Sequence, residues 1–149
     1  HTVSSSRVRK TLAQGDMEQA ARLLERPYAI TGKVVHGKGI GRGMGFPTAN
    51  VKIPQSKALP AFGIYVARAR LKEGSYQAVL SLGCHPTLPE GGVTLEVYLL
   101  NGPQDLYGKN MRVKFLKKLR DEIKFDGVLA LKEQIGRDVR DTKAYFNKP

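Results

Sequence analysis

Apolar positions along the chain change period at Arg26-Pro27. Before that point they recur at helical spacing, with Val8 and Leu12 one turn apart and Ala20, Leu23 and Leu24 forming a stripe. Ser4, Ser5 and Ser6 offer N-caps for a first helix, and Gly15-Asp16 interrupts it. Asp16 then caps a second short helix, with Gln19 three residues on as in a capping box. Pro27 ends it, because the residue before a proline avoids the α region. From Tyr28 onward the period is that of strands, predicted over 28–36, 62–71, 76–82, 93–100 and 111–119. Glu73-Gly74-Ser75 is a short turn that implies antiparallel pairing, and Glu90-Gly91-Gly92 and Asn101-Gly102-Pro103 are further turn signals. No helical stretch separates the strands, which argues against parallel crossovers. Five or six antiparallel strands with short links predict a small closed barrel, since closure removes exposed edges. The period returns to helical at the end, where Val128, Leu131, Ile135, Val139 and Phe146 make a stripe opposite Lys132, Glu133, Arg137 and Arg140. Asp126 is the expected N-cap of that helix, and its stripe is expected to pack on the barrel.

Composition narrows the class. A chain of 149 residues with 41% apolar and 26% charged residues has the balance of a soluble globular protein rather than a disordered one. No apolar run approaches the ~20 residues of a membrane helix, and no signal peptide is visible. The first residue is His1, not Met, so the chain is expected to be processed or cut from something longer. Cys84 is the only cysteine, which excludes an internal disulfide and a cysteine-based zinc site and fits a reducing, cytoplasmic setting. The net charge of +12 admits nucleic acid, a membrane surface or an anionic small substrate as partner. Its positive residues are dispersed, as at Arg68, Arg70 and Lys72 or Lys114, Lys117, Lys118 and Arg120, with no run of five like charges. No zinc-finger spacing or aromatic-rich RNA-binding strand accompanies them. A solvated basic surface is therefore expected, with no specific nucleic-acid partner and no membrane.

Three features carry candidate chemistry. Glycine occupies every second position from Gly37 to Gly45, with Lys38 and Arg42 between. Such a loop brings N–H groups close to an anion without side-chain obstruction. It matches neither the P-loop nor the dinucleotide pattern, so an anion cradle and a plain glycine loop both stand on spacing alone. Thr48 and Asn50 follow, two apart, and in an extended segment they share a face. Their neutral oxygens suit Mg²⁺ that keeps its waters and takes further ligands from phosphates, although a turn hydrogen bond after Pro47 also explains them. Glu96 is a lone acid between Val93, Leu95, Val97 and Leu99. A general base fits, and so does an acid on an outward strand face. His36 and His85 have no metal spacing, and Cys84 has no implied base, so structural roles are expected for them.

Several ordered motifs together resemble the riboflavin kinase family. Gly41-Arg42-Gly43-Met44-Gly45-Phe46-Pro47-Thr48-Ala49-Asn50 resembles its signature, whose core is Pro-Thr-Ala-Asn. Gly63-Ile64-Tyr65, Ser81-Leu82-Gly83-Cys84-His85-Pro86-Thr87, Leu95-Glu96-Val97-Tyr98-Leu99-Leu100 and Asp105-Leu106-Tyr107-Gly108 follow in order. Leu119-Arg120-Asp121-Glu122-Ile123-Lys124-Phe125 resembles the flavin-side loop. Ser4-Ser5-Ser6-Arg7-Val8-Arg9 resembles the last nucleotide-binding motif of the adenylyltransferase module in bacterial bifunctional riboflavin kinase/FAD synthetases, with Ser6 where Thr is usual. The resemblance implies a mainly β fold, a six-stranded antiparallel Greek-key barrel with a C-terminal helix, over residues 27–149. Residues 1–26 would be a helical remnant or linker from the preceding module, and no FAD synthesis would be expected.

The implied reaction moves the γ-phosphoryl group of Mg-ATP to riboflavin, giving FMN and ADP. The resemblance assigns Gly37, Lys38, Gly39, Gly41, Arg42 and Gly43 to the nucleotide phosphates, and Thr48 and Asn50 to Mg²⁺ and ATP. It makes Glu96 the catalytic base and puts Arg120, Glu122 and Phe125 near the flavin. Cys84-His85 departs from the family's more usual Thr followed by Arg or a small residue. A nucleic-acid-binding basic barrel is the rival reading, and it leaves Thr48, Asn50 and Glu96 without a role. A flavin-binding module without catalysis is a second.

Overall fold

Alternation of apolar and polar side chains lets a strand bury one face, and here six strands bury theirs against one another inside a ring. The computed structural model describes residues 5–36, 46–84, 92–103, 105–123, 125 and 127–148. Its elements are α1 (Ser5–Ala13), α2 (Met17–Leu24), β1 (Tyr28–Val35), β2 (Ala49–Val51), β3 (Gly63–Leu71), β4 (Gly74–Cys84), β5 (Val93–Leu99), β6 (Asn110–Arg120) and α3 (Val128–Phe146). The strands close in the order β1-β2-β5-β4-β3-β6, every pair antiparallel. β3, β4 and β5 form a meander, β6 returns beside β3, and β2 lies beside β5, so the connections are those of a Greek key.

The interior is filled by Ile30, Val51, Tyr65, Leu80, Val97 and Phe115, each at most 4% exposed. Large and small residues alternate across it. The Tyr65 and Phe115 rings meet edge to face at 5.1 Å, and Ala67, Ala69 and Ala78 are fully buried in the same cluster. The two buried tyrosines keep their hydroxyls satisfied, Tyr65 donating to the Ala61 carbonyl at 2.6 Å and Tyr28 to that of Ala58. Burial pushes both phenols up to about 12. Gly32 lets β1 approach the next segment closely: a Cβ there would lie 1.9 Å from the Lys52 carbonyl oxygen.

The expected elements are present with informative differences. Asp16 caps α2 by accepting the Gln19 N–H at 3.0 Å. Gly74 and Ser75, read as a turn, open β4, and Lys72-Glu73 makes the bend. The sixth strand is β2, only three residues long and too short to announce itself by period. Asp126 lies outside the described residues, and the N-cap position of α3 is Gly127, in extended backbone with no side-chain cap hydrogen bond. From α1 and α2, Leu12, Met17 and Ala20 join the barrel's own core, and the Leu12 carbonyl accepts the Ala61 N–H at 2.9 Å. A second apolar cluster lies outside the ring, where Val139 of α3 covers Ile64 and Val79 together with Leu100.

Candidate active site

The barrel's inward residues dictate what its outward face presents. In β2, Ala49 and Val51 point into the core, so Asn50 between them points out, half-buried. In β5, Leu95 and Val97 are core, so Glu96 points out, and in β4 Leu80 and Leu82 do the same for Ser81. The ladders set these three side by side: Asn50 pairs with Glu96, and Glu96 pairs with Ser81. Directly opposed residues have Cβ atoms about 4.5–5.5 Å apart, so the row is compact. It continues through Ile64, opposite Ser81, to Arg120, opposite Ile64. Thr48 immediately precedes β2 and is half-buried, two residues from Asn50. Asn50 and Glu96, 46 residues apart in sequence, thus meet on one surface.

The row has two flanks. On one, Tyr98 packs edge to face with Phe46 at 5.5 Å, and both lean on the outer apolar cluster with Ile135 and Leu119. On the other, Gly83 pairs with Thr94, and the Glu122 carboxylate sits directly on Gly83. A Cβ at Gly83 would lie 1.5 Å from Glu122 Oε1.

Arg120 closes the row by joining β6 to α3. Its Nε and Nη2 donate to the two Asp138 carboxylate oxygens at 2.9 and 2.8 Å, and its Nη1 donates to the Asp121 carbonyl at 3.0 Å. Gln134 Nε2 donates to Asp138 Oδ1 at 3.1 Å, and the Asp138 side chain is only 5% exposed. The guanidinium therefore braces the start of the 121–125 segment against the helix. Asp121 itself is held below the usual carboxylate range, first by the hydrogen bond from Lys118 and then by that cation's charge.

Not every expected residue falls within this surface. Gly37, Lys38, Gly39, Gly41, Arg42 and Gly43 lie outside the described residues. Phe125 is half-buried, four residues beyond Asp121. Clefts indent the described surface. One of about 180 Å³ adjoins Pro47, Tyr98 and Pro103, and a broad one of about 1070 Å³ runs past Lys33, Lys52 and Lys57. Glu96 lines neither. The polar row gathers Asn50, Glu96 and Ser81 on the outer face, away from either cleft. Ser81 and Gly83 lie in a motif that carried the resemblance but had no role assigned there, and Asp138 was not singled out. The signal for Asp138 was there: it lies seven residues after Leu131 and three after Ile135, on the stripe of α3.

A family model for flavokinase, described as riboflavin kinase, matches residues 24–146. The bifunctional riboflavin kinase/FMN adenylyltransferase of Haemophilus influenzae is 41% identical over 146 residues, and that of Bacillus subtilis is 38% identical over 148. Each match covers 97% of this chain and 47% of the relative, so the chain spans about half the length of these curated relatives. Among solved structures, one described as a macrolide-efflux protein from Streptococcus pneumoniae has a TM-score of 0.88 and 34% identity, covering 99% of this chain and 48% of that one. Riboflavin kinase from Trypanosoma brucei has a TM-score of 0.58 and 27% identity, covering 83% of this chain and 82% of that one. The model match takes in the whole barrel, α3 and the polar row that crosses its outer face, and the chain belongs to the riboflavin kinase family.

Proposed function

We propose that this chain transfers the γ-phosphoryl group of ATP to the 5′-hydroxyl of riboflavin, forming FMN and ADP. The observation that carries this reading is the row on the outer barrel face in which Glu96 stands between Asn50 and Ser81. Glu96 accepts the hydroxyl proton as the 5′-oxygen bonds to the γ-phosphorus. The bond from that phosphorus to the bridging oxygen breaks, and ADP leaves. Such transfer asks mainly for positioning and charge stabilisation, which a base beside neutral polar donors on a rigid sheet supplies.

The donor set fits Mg²⁺ brought in with ATP. Among the described residues no three His, Cys, Asp or Glu side chains gather, and the row beside Glu96 offers the neutral oxygens of Asn50 and Ser81, with that of Thr48 two residues before Asn50. Hydrated Mg²⁺ takes most of its ligands from water and phosphates, and bound there it would neutralise phosphate charge. We assign the phosphates to Gly37, Lys38, Gly39, Gly41, Arg42 and Gly43, on the family resemblance. The flavin side falls to Glu122 and Phe125, with Arg120 as the brace that holds their segment to α3 rather than as a ligand.

The relatives' names join this activity to FMN adenylyltransferase, and this chain aligns with about half of each. We assign it the kinase step alone, with the adenylyltransferase module as its partner in the longer protein and the cytoplasm as its setting. Incubation with riboflavin, ATP and Mg²⁺, followed by chromatographic separation of flavins, is expected to yield FMN and no FAD. Folded protein that leaves riboflavin unchanged would overturn the kinase reading.

A further inference from the structure

We propose that Glu122, seated on Gly83, is the second carboxylate of the site and selects the substrate through the secondary hydroxyls of its polyol chain. This rests on the reading of Glu96 as the base for a primary alcohol.

Three observations meet here. First, the Glu122 carboxylate occupies the volume that a side chain at position 83 would fill, with Oε1 1.5 Å from an ideal Cβ there. Glu122 is otherwise an exposed residue on an irregular segment. Only the missing side chain at 83 lets its carboxylate reach the sheet. Second, register fixes where that contact lies. Gly83 pairs with Thr94, and Ser81 with Glu96, so Gly83 is the diagonal neighbour of Glu96 on the same face. Diagonal positions are about 7–8 Å apart, which separates the two carboxylates by a short span along one surface. Third, the segment that carries Glu122 is anchored at its root, where Arg120 is tied to the buried Asp138 and to the Asp121 carbonyl.

An ionised carboxylate only accepts hydrogen bonds. Two of them a short span apart call for a ligand with several hydroxyl donors along a chain. Glu96 takes the terminal hydroxyl, which reacts. Glu122 then faces hydroxyls nearer the other end of the chain, which do not react and serve to register it. A phosphate would be repelled by the same pair, so the substrate's alcohol end and the nucleotide are kept to different sides of Glu96. Glu122 is a specificity residue in this scheme, and Gly83 is a positioning residue that acts through it.

The test compares riboflavin with a flavin whose N10 chain is 5-hydroxypentyl, which keeps the terminal hydroxyl and lacks the three secondary ones. Affinity is read from quenching of flavin fluorescence and turnover from phosphorylated flavin. The parent should favour riboflavin by about 10–100-fold in both readouts, the scale of one charge-assisted hydrogen bond. Glu122→Gln and Gly83→Ala should each cut that preference to within a few-fold. Gly83→Ala is the sharper variant, because it changes no charge. Its backbone is not in the left-handed region, and the group it displaces is the end of a flexible side chain, so the barrel should keep its stability. A preference that stays intact in both variants, or losses equal for the two flavins, overturns the inference. A parent that binds riboflavin selectively yet makes no FMN would instead count against the kinase reading and leave the Glu122 assignment standing.

Discussion

Arg120 grips Asp138 through two parallel hydrogen bonds of 2.9 and 2.8 Å, joining the end of β6 to the middle of α3. The acid's side chain is nearly sealed, at 5% exposure, and the Arg120 side chain is 17% exposed. Removing one partner of such a pair strands the other in a place water reaches poorly. Asp138→Ala is therefore expected to cost about 3 kcal/mol, the lower end for a buried pair, because Arg120 keeps some access to water. Chemical denaturation measures it, and a loss below about 1 kcal/mol, as at surface pairs, would mean the brace is not needed.

Glu96→Gln keeps the shape of the side chain and removes its basicity. Turnover should fall by about 10²–10⁴-fold, the usual contribution of a positioned base. Flavin binding, followed by fluorescence, should change little. Glu96→Asp retracts the carboxylate and should give an intermediate loss. Turnover of Glu96→Gln within a few-fold of the parent would reduce Glu96 to a polar residue of the outer face.

Thr48→Ala and Asn50→Ala each remove one oxygen from the proposed Mg-ATP site. Each should weaken use of Mg-ATP by about 1–3 kcal/mol, visible as a higher Mg²⁺ requirement in a titration at fixed ATP. The double variant folds as the parent does if Ala49 and Val51 alone hold β2 in place. An unaltered Mg²⁺ titration would make 47–50 a connecting turn and nothing more.

Tyr28 and Tyr65 tie stability to high pH. Their phenols ionise near 12 in the folded barrel and near 10 when unfolded. The folded state binds protons more tightly, so this contribution is fully present below pH 10 and is lost as pH rises toward 12. Tyr65→Phe should flatten the fall between pH 10 and 12 while also losing the hydrogen bond to Ala61. A stability profile that is level from pH 9 to 12 in the parent would contradict the burial of both hydroxyls.

What local sequence could determine was the face each segment buries. The alternation through Leu95, Val97 and Leu99 is a property of one strand and survives in the fold, whereas of the α3 stripe Ile135 and Val139 reach the outer apolar cluster and Val128, on the first turn, stays 64% exposed. Turn residues and caps are local too, which is why Asp16 was legible and why the family motifs could be aligned by eye. What lay beyond sequence was set by closure of the ring. β2 is three residues long and exists because β1 and β5 offer it edges on both sides. That pairing alone makes Asn50 the neighbour of Glu96 and turns two ambiguous polar residues into parts of one surface. Gly83 stood only within a family motif, one residue past the predicted strand, and it is the return of 121–123 across the sheet that shows its missing side chain to be the seat of Glu122. The physical reason is the same in each case. Hydrophobic period records which way a side chain points, whereas register between distant strands is decided by the joint packing of all six.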